Sequence, residues 1–333
     1  LNERPAEVER LEKMNEYGTD DLFICCASFE ERCLSGPLRL AANYRTNFSI
    51  IFVLDELLYK KQVESNLHSL KGILSGKSSK GIFTISCQRD SPVEAIAQLS
   101  NIWQRCKPRD PEEPFITIDI SGFTKIYLLQ LLNYLIIEAK LGLPRMLHTT
   151  QSYLPAKLTK GVSQITTVPN FFGDISLGKK TVLVLFLGFE PDRTVAVWKH
   201  LNPDRTIALI TSPPRHDNLK YVRYAEKNNA FLLSQESVER REVPPDNPYA
   251  VRKVLEDIYN EFKGSGNMVV GPFGTKPQVV GLFLFCLEHP KVQVVYSLPV
   301  KYTRSYLWRK PGETLMLPLN PTIPEITQPK LVP

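Results

Sequence analysis

Two short runs carry the residue types best suited to chemistry in this chain. Ser121-Gly122-Phe123-Thr124-Lys125 lies between an apolar strand-like run and an apolar helix-like run. Gly271-Pro272-Phe273-Gly274-Thr275-Lys276 sits in the same context further along. Each sets a Thr hydroxyl and a Lys ammonium at a helix start, where free backbone N–H groups and the positive end of the helix dipole favour an anion. Lys125 and Lys276 each add a compact point charge. Gly122, Gly271 and Gly274 are expected to let the backbone approach a ligand closely. The chemistry implied is recognition of a phosphate or of a nucleotide backbone. A Gly-containing turn with a Thr N-cap also arises for purely structural reasons. The weight therefore rests on its recurrence.

A second pair of loops recurs with the first. Ser28-Phe29-Glu30 follows the strand-like run Leu22–Ala27, with Arg32 close behind. Gly188-Phe189-Glu190 follows a similar run from Thr181, with Arg193 close behind. Phe29 and Phe189 read as core residues before they read as stacking platforms. Glu30 with Arg32, and Glu190 with Arg193, read as loop ion pairs before catalytic pairs, and they can tie the first loop to the Lys of the second.

The elements that must position these loops alternate between apolar strand-like runs and helical patterns. Such alternation implies right-handed βαβ units and a parallel sheet. "FSIIFVLDE", "GIFTISC", "FITIDI" and "RMLHTTQ" are further strands of a first set. "SPVEAIAQLSNIWQRC" is a helix with Ser91 as N-cap and Glu94 at the capping-box position. The second set runs in the same order: "RTIALITSP", "NAFLLS" in the third-strand slot, "NPYAVRKVLEDIYNEF" as a helix, "NMVVGPFGTK" and "VQVVYSLP". Parallels in one order imply an internal duplication with altered loop lengths. The expected fold class is α/β, with two tandem Rossmann-like parallel-sheet halves. The expected division is a first half over 1–155, a connector over 156–179, a second half over 180–318 and a Pro-rich tail over 319–333. Ligands of open parallel sheets bind at the carboxyl ends of the strands. In a doubly wound order the strands bearing the two loops of each half are neighbours.

The chain has 333 residues and is 43% hydrophobic, enough for two cores. A net charge of +6 suits an anionic ligand, but 35 interspersed acidic residues do not make the footprint of a duplex-binding protein. No apolar run is long enough for a membrane span, and the charged start is unlike a signal peptide. The 6 Cys lack zinc-type spacing and fit reduced, cytoplasmic usage. The 5 His are scattered, and His148 reads as a sheet histidine with the option of facing the pocket. "GILSGKSS" has the wrong spacing for a P-loop and follows a helix. No strand-linked GxGxxG, HExxH or GxSxG is present. No cofactor is expected. "PPRHDNLKYVRYAEK" reads as a solvated basic helix face. "IYLLQLLNYLIIEAK" and "PQVVGLFLFCLEH" are apolar nearly all round, so each must be covered on every side, by the other or by a partner.

An apolar strand ending in Asp, a small-residue turn, Thr-Lys and an apolar helix resembles the signature of CARF domains. The carriers are "DISGFTK", Asp119–Lys125, and "GPFGTK", Gly271–Lys276. Phe123 replaces a small residue in the first, and the second lacks the Asp. The resemblance implies a Rossmann-like sensor of cyclic oligonucleotides in prokaryotic antiviral defence. A fused tandem, as in SAVED-type sensors, builds the binding pair within one chain. Thr124, Lys125, Thr275 and Lys276 would line the pocket, with Ser28, Phe29, Gly188 and Phe189 as its other wall. The implied role is a regulatory subunit signalling to a separate effector. Two alternatives stand beside it. One is a nucleotide-processing, ring-nuclease-like phosphodiesterase, for which no general base stands out. The other is a structural subunit with a degenerate pocket, which Phe123 filling the first pocket would favour.

Overall fold

The structure, a computed structural model, describes residues 19–88, 91–107, 114–150, 158–212, 219–262, 265–303 and 311–317. The charged N-terminal segment, the Pro-rich tail and the start of the basic stretch lie outside them. The first part of the chain forms β1 (Asp20–Ala27), α1 (Ser35–Arg39), β2 (Thr46–Asp55), α2 (Lys60–Ser75), β3 (Ile82–Gln88), α3 (Pro92–Cys106), β4 (Ile116–Asp119), α4 (Lys125–Asn133) and β5 (Arg145–Thr149). Next come β6 (Thr159–Thr167), β7 (Lys180–Phe186), α5 (Pro191–Leu201), β8 (Arg205–Thr211), α6 (Leu219–Asn228), α7 (Ala230–Leu233) and β9 (Val238–Val243). The chain then forms α8 (Pro248–Phe262), β10 (Gly266–Pro272), α9 (Lys276–Glu288), β11 (Gln293–Tyr302) and β12 (Thr314–Leu317).

These strands make two 6-stranded sheets, ordered β12-β5-β4-β1-β2-β3 and β6-β11-β10-β7-β8-β9. Five strands of each are parallel, and the sixth, β12 or β6, is antiparallel. The two halves are therefore Rossmann-like and share one strand order. β1 pairs with β4 and β7 with β10, so the two loops of each half leave adjacent strand ends. Continuous apolar runs suit these central strands because both faces are covered.

The sixth strands cross between the sheets. β6 follows β5 in the chain yet pairs with β11 of the second sheet, and β12 follows β11 yet pairs with β5 of the first. Thus β6 lies within the 156–179 stretch, and β12, within 180–318, joins the first sheet. Each half donates its last strand to the other, which holds the two sheets together through backbone hydrogen bonds as well as side chains.

The two all-round apolar helices pack on each other, with α3 against α4 and α8 against α9 on their outer flanks. Residues Ile126–Asn133 of α4 and Pro277–Cys286 of α9 are all buried. One apolar cluster consequently runs from Ile50 and Phe52 of the first sheet through Leu128 and Phe283 to Val184 of the second. Each such side chain contributes about 1.5–3 kcal/mol by leaving water. The Thr-Lys loops, at the N-termini of α4 and α9, are held at this join.

Two local expectations change. "NAFLLS" is not the third strand: Ala230–Leu233 is a helical turn burying Leu232 and Leu233, and the strand is Val238–Val243. A short apolar run has no period of its own and suits either state, whereas "VERREV" is an edge strand carrying two acidic and two basic residues. Ser91 stands at the N-cap of α3 but its hydroxyl makes no cap hydrogen bond. Its carbonyl instead accepts from the Tyr127 hydroxyl, 3.0 Å away. Among the described residues no helix is long and apolar enough to cross a membrane. All 6 cysteines are free, and all but Cys106 are buried. Burial pushes the thiols of Cys25 and Cys26 well up, so they are inert core groups.

Candidate functional site

The Thr-Lys loops of the two halves meet. Lys125 Nζ donates to the Phe273 carbonyl of the other half's loop at 3.3 Å. Lys276 Nζ donates to the Ser121 carbonyl in the reverse direction. Both lysine residues are half-buried. Burial, then the Arg32 guanidinium, pushes Lys276 down to about 7 despite the opposing field of Glu30. Burial, then Arg193, pushes Lys125 down to about 8. Burial is the main cause for both, and Lys125 adds a smaller push on Lys276, so the loss of hydration is not made up by the carboxylates nearby.

The first-strand loops flank this pair, and each carries an ion pair. Glu30 binds Arg32, and Glu190 binds Arg193 at 3.0 Å. The ion-pair reading of both is therefore correct. Ser28 is buried; its hydroxyl accepts from the Glu30 N–H at 3.1 Å and its carbonyl from Asn66 at 2.7 Å. Phe29 is a core residue packed on Tyr59 with ring centroids 4.6 Å apart. Phe189 is only half-buried, and sits among Tyr221 and Tyr224 of α6 at 6.2 and 5.5 Å. The helix expected to be a solvated face thus covers the second loop with its tyrosines, while Lys220 and Arg223 stay exposed.

The glycines serve the protein, not an open ligand surface. A Cβ on Gly122 would overlap the Cys26 carbonyl, and one on Gly188 the Phe273 carbonyl. In the first half a glycine therefore lets the Thr-Lys loop touch the end of β1, and in the second a glycine lets the first-strand loop touch the Thr-Lys loop. A Cβ on Gly274 would overlap Gln278 Oε1, and one on Gly271 would lie 2.7 Å from Leu185 and 2.8 Å from the Phe273 ring. The expectation that Gly122, Gly271 and Gly274 clear space for a ligand is corrected: backbone and side chains of the same fold already fill it. Gly122→Ala is expected to lower stability by about 1–3 kcal/mol, because a rigid carbonyl must move. Thermal unfolding of the variant checks this.

The two threonines differ. Thr275 completes a capping box with Gln278, and its hydroxyl also donates to the Pro245 carbonyl. Thr124 is the N-cap of α4 by position, yet its hydroxyl is buried without a hydrogen-bond partner. Phe123 turns into the core against Phe52, ring centroids 5.2 Å apart and nearly edge to face. Ser121 knits the first loop: its N–H donates to Asp119 Oδ1 and its hydroxyl accepts from the Thr149 N–H, both at 2.8 Å.

Three groups outside the expected wall also belong here. Asp119 is buried, and burial pushes its carboxyl up to about 6 against the pull of Ser121, Lys276 and Arg32. His148 is buried and held well below its usual range, first by burial and then by Lys276 and Arg32. Arg32 lies within reach of both lysines' charge. Position at a strand's carboxyl end was the only sequence signal for His148, and nearness in the chain to Glu30 the only one for Arg32.

Fold and site together define a tandem Rossmann-like protein in which a lysine of each half's Thr-Lys loop reaches the other half's loop. No family model and no curated protein matches the chain. Among solved structures it is similar to Can2 from Sulfobacillus thermosulfidooxidans in complex with cyclic tetra-adenylate. There the identity is 18% and the TM-score 0.28, over 36% of this chain and 34% of that one. It is also similar to a type III CRISPR defence DNA nuclease activated by cyclic oligoadenylate. That match has 9% identity and a TM-score of 0.47, over 79% of this chain and 63% of the nuclease. The chain thus spans less than two thirds of either.

Proposed function

We propose that this protein binds an oligonucleotide-type polyanion, of cyclic oligonucleotide class, between its two halves, and acts as the sensor or regulatory subunit of an antiviral defence system. The observation that carries the reading is the meeting of Lys125 and Lys276, each resting on the other half's loop carbonyl. A carbonyl carries only a partial charge, so a phosphate oxygen is the stronger partner for the ammonium of a half-buried lysine. Binding would draw both lysines from the opposite loop. Because those loops open α4 and α9, at the join of the halves, ligand occupancy has a direct route to the inter-half packing and so to a separate effector.

Calorimetry with linear and cyclic oligonucleotides tests this. The panel includes cyclic tetra-adenylate, the ligand in the Can2 complex. Tight binding of one member supports the sensor reading; a folded protein that binds none of them defeats it. A second reading, slow cleavage of a bound phosphodiester, is favoured by Lys276 at about 7, where an amine can exchange a proton near neutral pH. Cleavage products accumulating in proportion to protein, and absent with Lys276→Ala, would favour it.

A further inference from the structure

Corresponding positions of the two halves carry different chemistry. The Thr275 hydroxyl is engaged by Pro245 and Gln278, whereas the Thr124 hydroxyl is buried with no partner. Arg193 is locked: it donates to the Ser297 carbonyl at 2.9 Å and to Glu190 at 3.0 Å, with the Phe273 and Tyr296 rings 5.1 and 4.6 Å away. Arg32 stays with Glu30 in the first loop, and its charge is felt by Lys125, Lys276, Asp119 and His148.

Strand register extends the contrast. Asp119 pairs with Leu147, and Val270 with Val294, while Asp119 and Val270 stand equally far before the two Thr-Lys pairs. The counterparts of Asp119 and His148 are therefore Val270 and Val295, both buried and apolar. His148 is 8% exposed, and its Nδ1 has no hydrogen-bond partner. The end of β5 is tied to the Lys276-binding loop by the Thr149 N–H to Ser121 hydroxyl bond of 2.8 Å. The His148 Nδ1, under the field of Lys276 and Arg32, and the Thr124 hydroxyl, next in the chain to Lys125, are buried and unpartnered, and such groups are costly unless a ligand completes them.

We propose that the site is asymmetric: Thr124 and His148 of the first half, within the field of Arg32 and with Lys276 reaching across, form the subsite for one phosphate of the ligand, while the second half's own Thr serves the fold and its valine replaces the histidine. The proposal rests on the nucleotide-binding reading and narrows it. Two carboxyls face the subsite, Glu30 and Asp119. Glu30 is paired with Arg32, and Asp119 Oδ1 with the Ser121 N–H. The remaining Asp119 Oδ2 is buried without a hydrogen-bond partner beside Gly36, where no Cβ intervenes.

The test is histidine-labelled NMR with two probes, cyclic tetra-adenylate and inorganic tripolyphosphate, beside calorimetry. Of the 5 histidines, the His148 signal is assigned by its loss in His148→Val, which copies the second half's valine. Expected are a shift of the His148 ring nitrogens with either probe, and affinity at least about tenfold weaker in His148→Val and in Thr124→Val. Arg32→Gln, which keeps a hydrogen bond to Glu30, should weaken binding similarly. Val295→Ala should change it by less than about twofold. Bound probe with a stationary His148 signal, or equal losses from Val295→Ala and His148→Val, would overturn the asymmetry. If tripolyphosphate moves His148 and no oligonucleotide binds, the subsite stands and the oligonucleotide reading fails. If neither anion moves it, the subsite fails.

Discussion

Replacing Lys125 and Lys276 together by alanine is expected to remove oligonucleotide binding while leaving the protein folded. Each ammonium would give a charge-assisted hydrogen bond to phosphate, contributing about 1.5–3 kcal/mol. Two of them amount to roughly a hundredfold to ten-thousandfold in affinity. Stability should move little, and upward if at all. Each lysine now makes one bond to a carbonyl across the join, yet both are held below their usual range by burial and by neighbouring cations. Removing a poorly compensated cation relieves that penalty as it deletes the bond. The measurement is calorimetric titration beside thermal unfolding, with exposed Lys179→Ala and Lys180→Ala as surface controls. A double variant that unfolds early would show that the lysines act chiefly as inter-half staples. One that binds as tightly as the parent would place the ligand elsewhere.

Affinity for the same ligand should fall as pH rises through the lysines' titration. Lys276 lies at about 7 and Lys125 at about 8 in the free protein. Below the lower value both are charged and bind without proton uptake. Above the higher value both are neutral, and binding must recharge them at the solvent's expense. The affinity then falls by up to about tenfold per pH unit for each lysine that takes up a proton. Calorimetry in buffers of different ionisation enthalpy should show uptake of protons on binding above about pH 8, and less near pH 6. Stability of the free protein has the opposite slope. An unfolded lysine binds a proton that the folded one has lost, so stability rises from about pH 7 to the ordinary lysine value. Asp119, raised to about 6, adds stability only while protonated, so its contribution declines as pH rises from the ordinary Asp value through that point. A flat affinity profile from pH 6 to 9 would mean that these two lysines do not face the ligand.

Chain order and composition by themselves determined the larger part of the architecture. Alternating apolar runs and helical patterns specify parallel sheets because a strand buried on both faces leaves no room for polar residues, as in Leu22–Ala27 and Val182–Phe186. Helices apolar all round had to be covered on every side, and α4 and α9 cover each other. The ion pairs of Glu30 and Glu190 were legible because a loop of three or four residues brings the partners together locally. Tertiary structure alone decided the rest. The crossing of β6 and β12 is invisible in sequence, since an antiparallel edge strand pairs equally well with either sheet until the connection is fixed in space. The glycines of the loops were legible as close-approach positions, but whether ligand or carbonyl comes close depends on contacts distant in the chain. Lys125 and Lys276 were each legible as cations at a helix start. That each reaches the other half's loop, with Thr124 unpartnered and Thr275 engaged, follows only from how two similar loops sit in different surroundings.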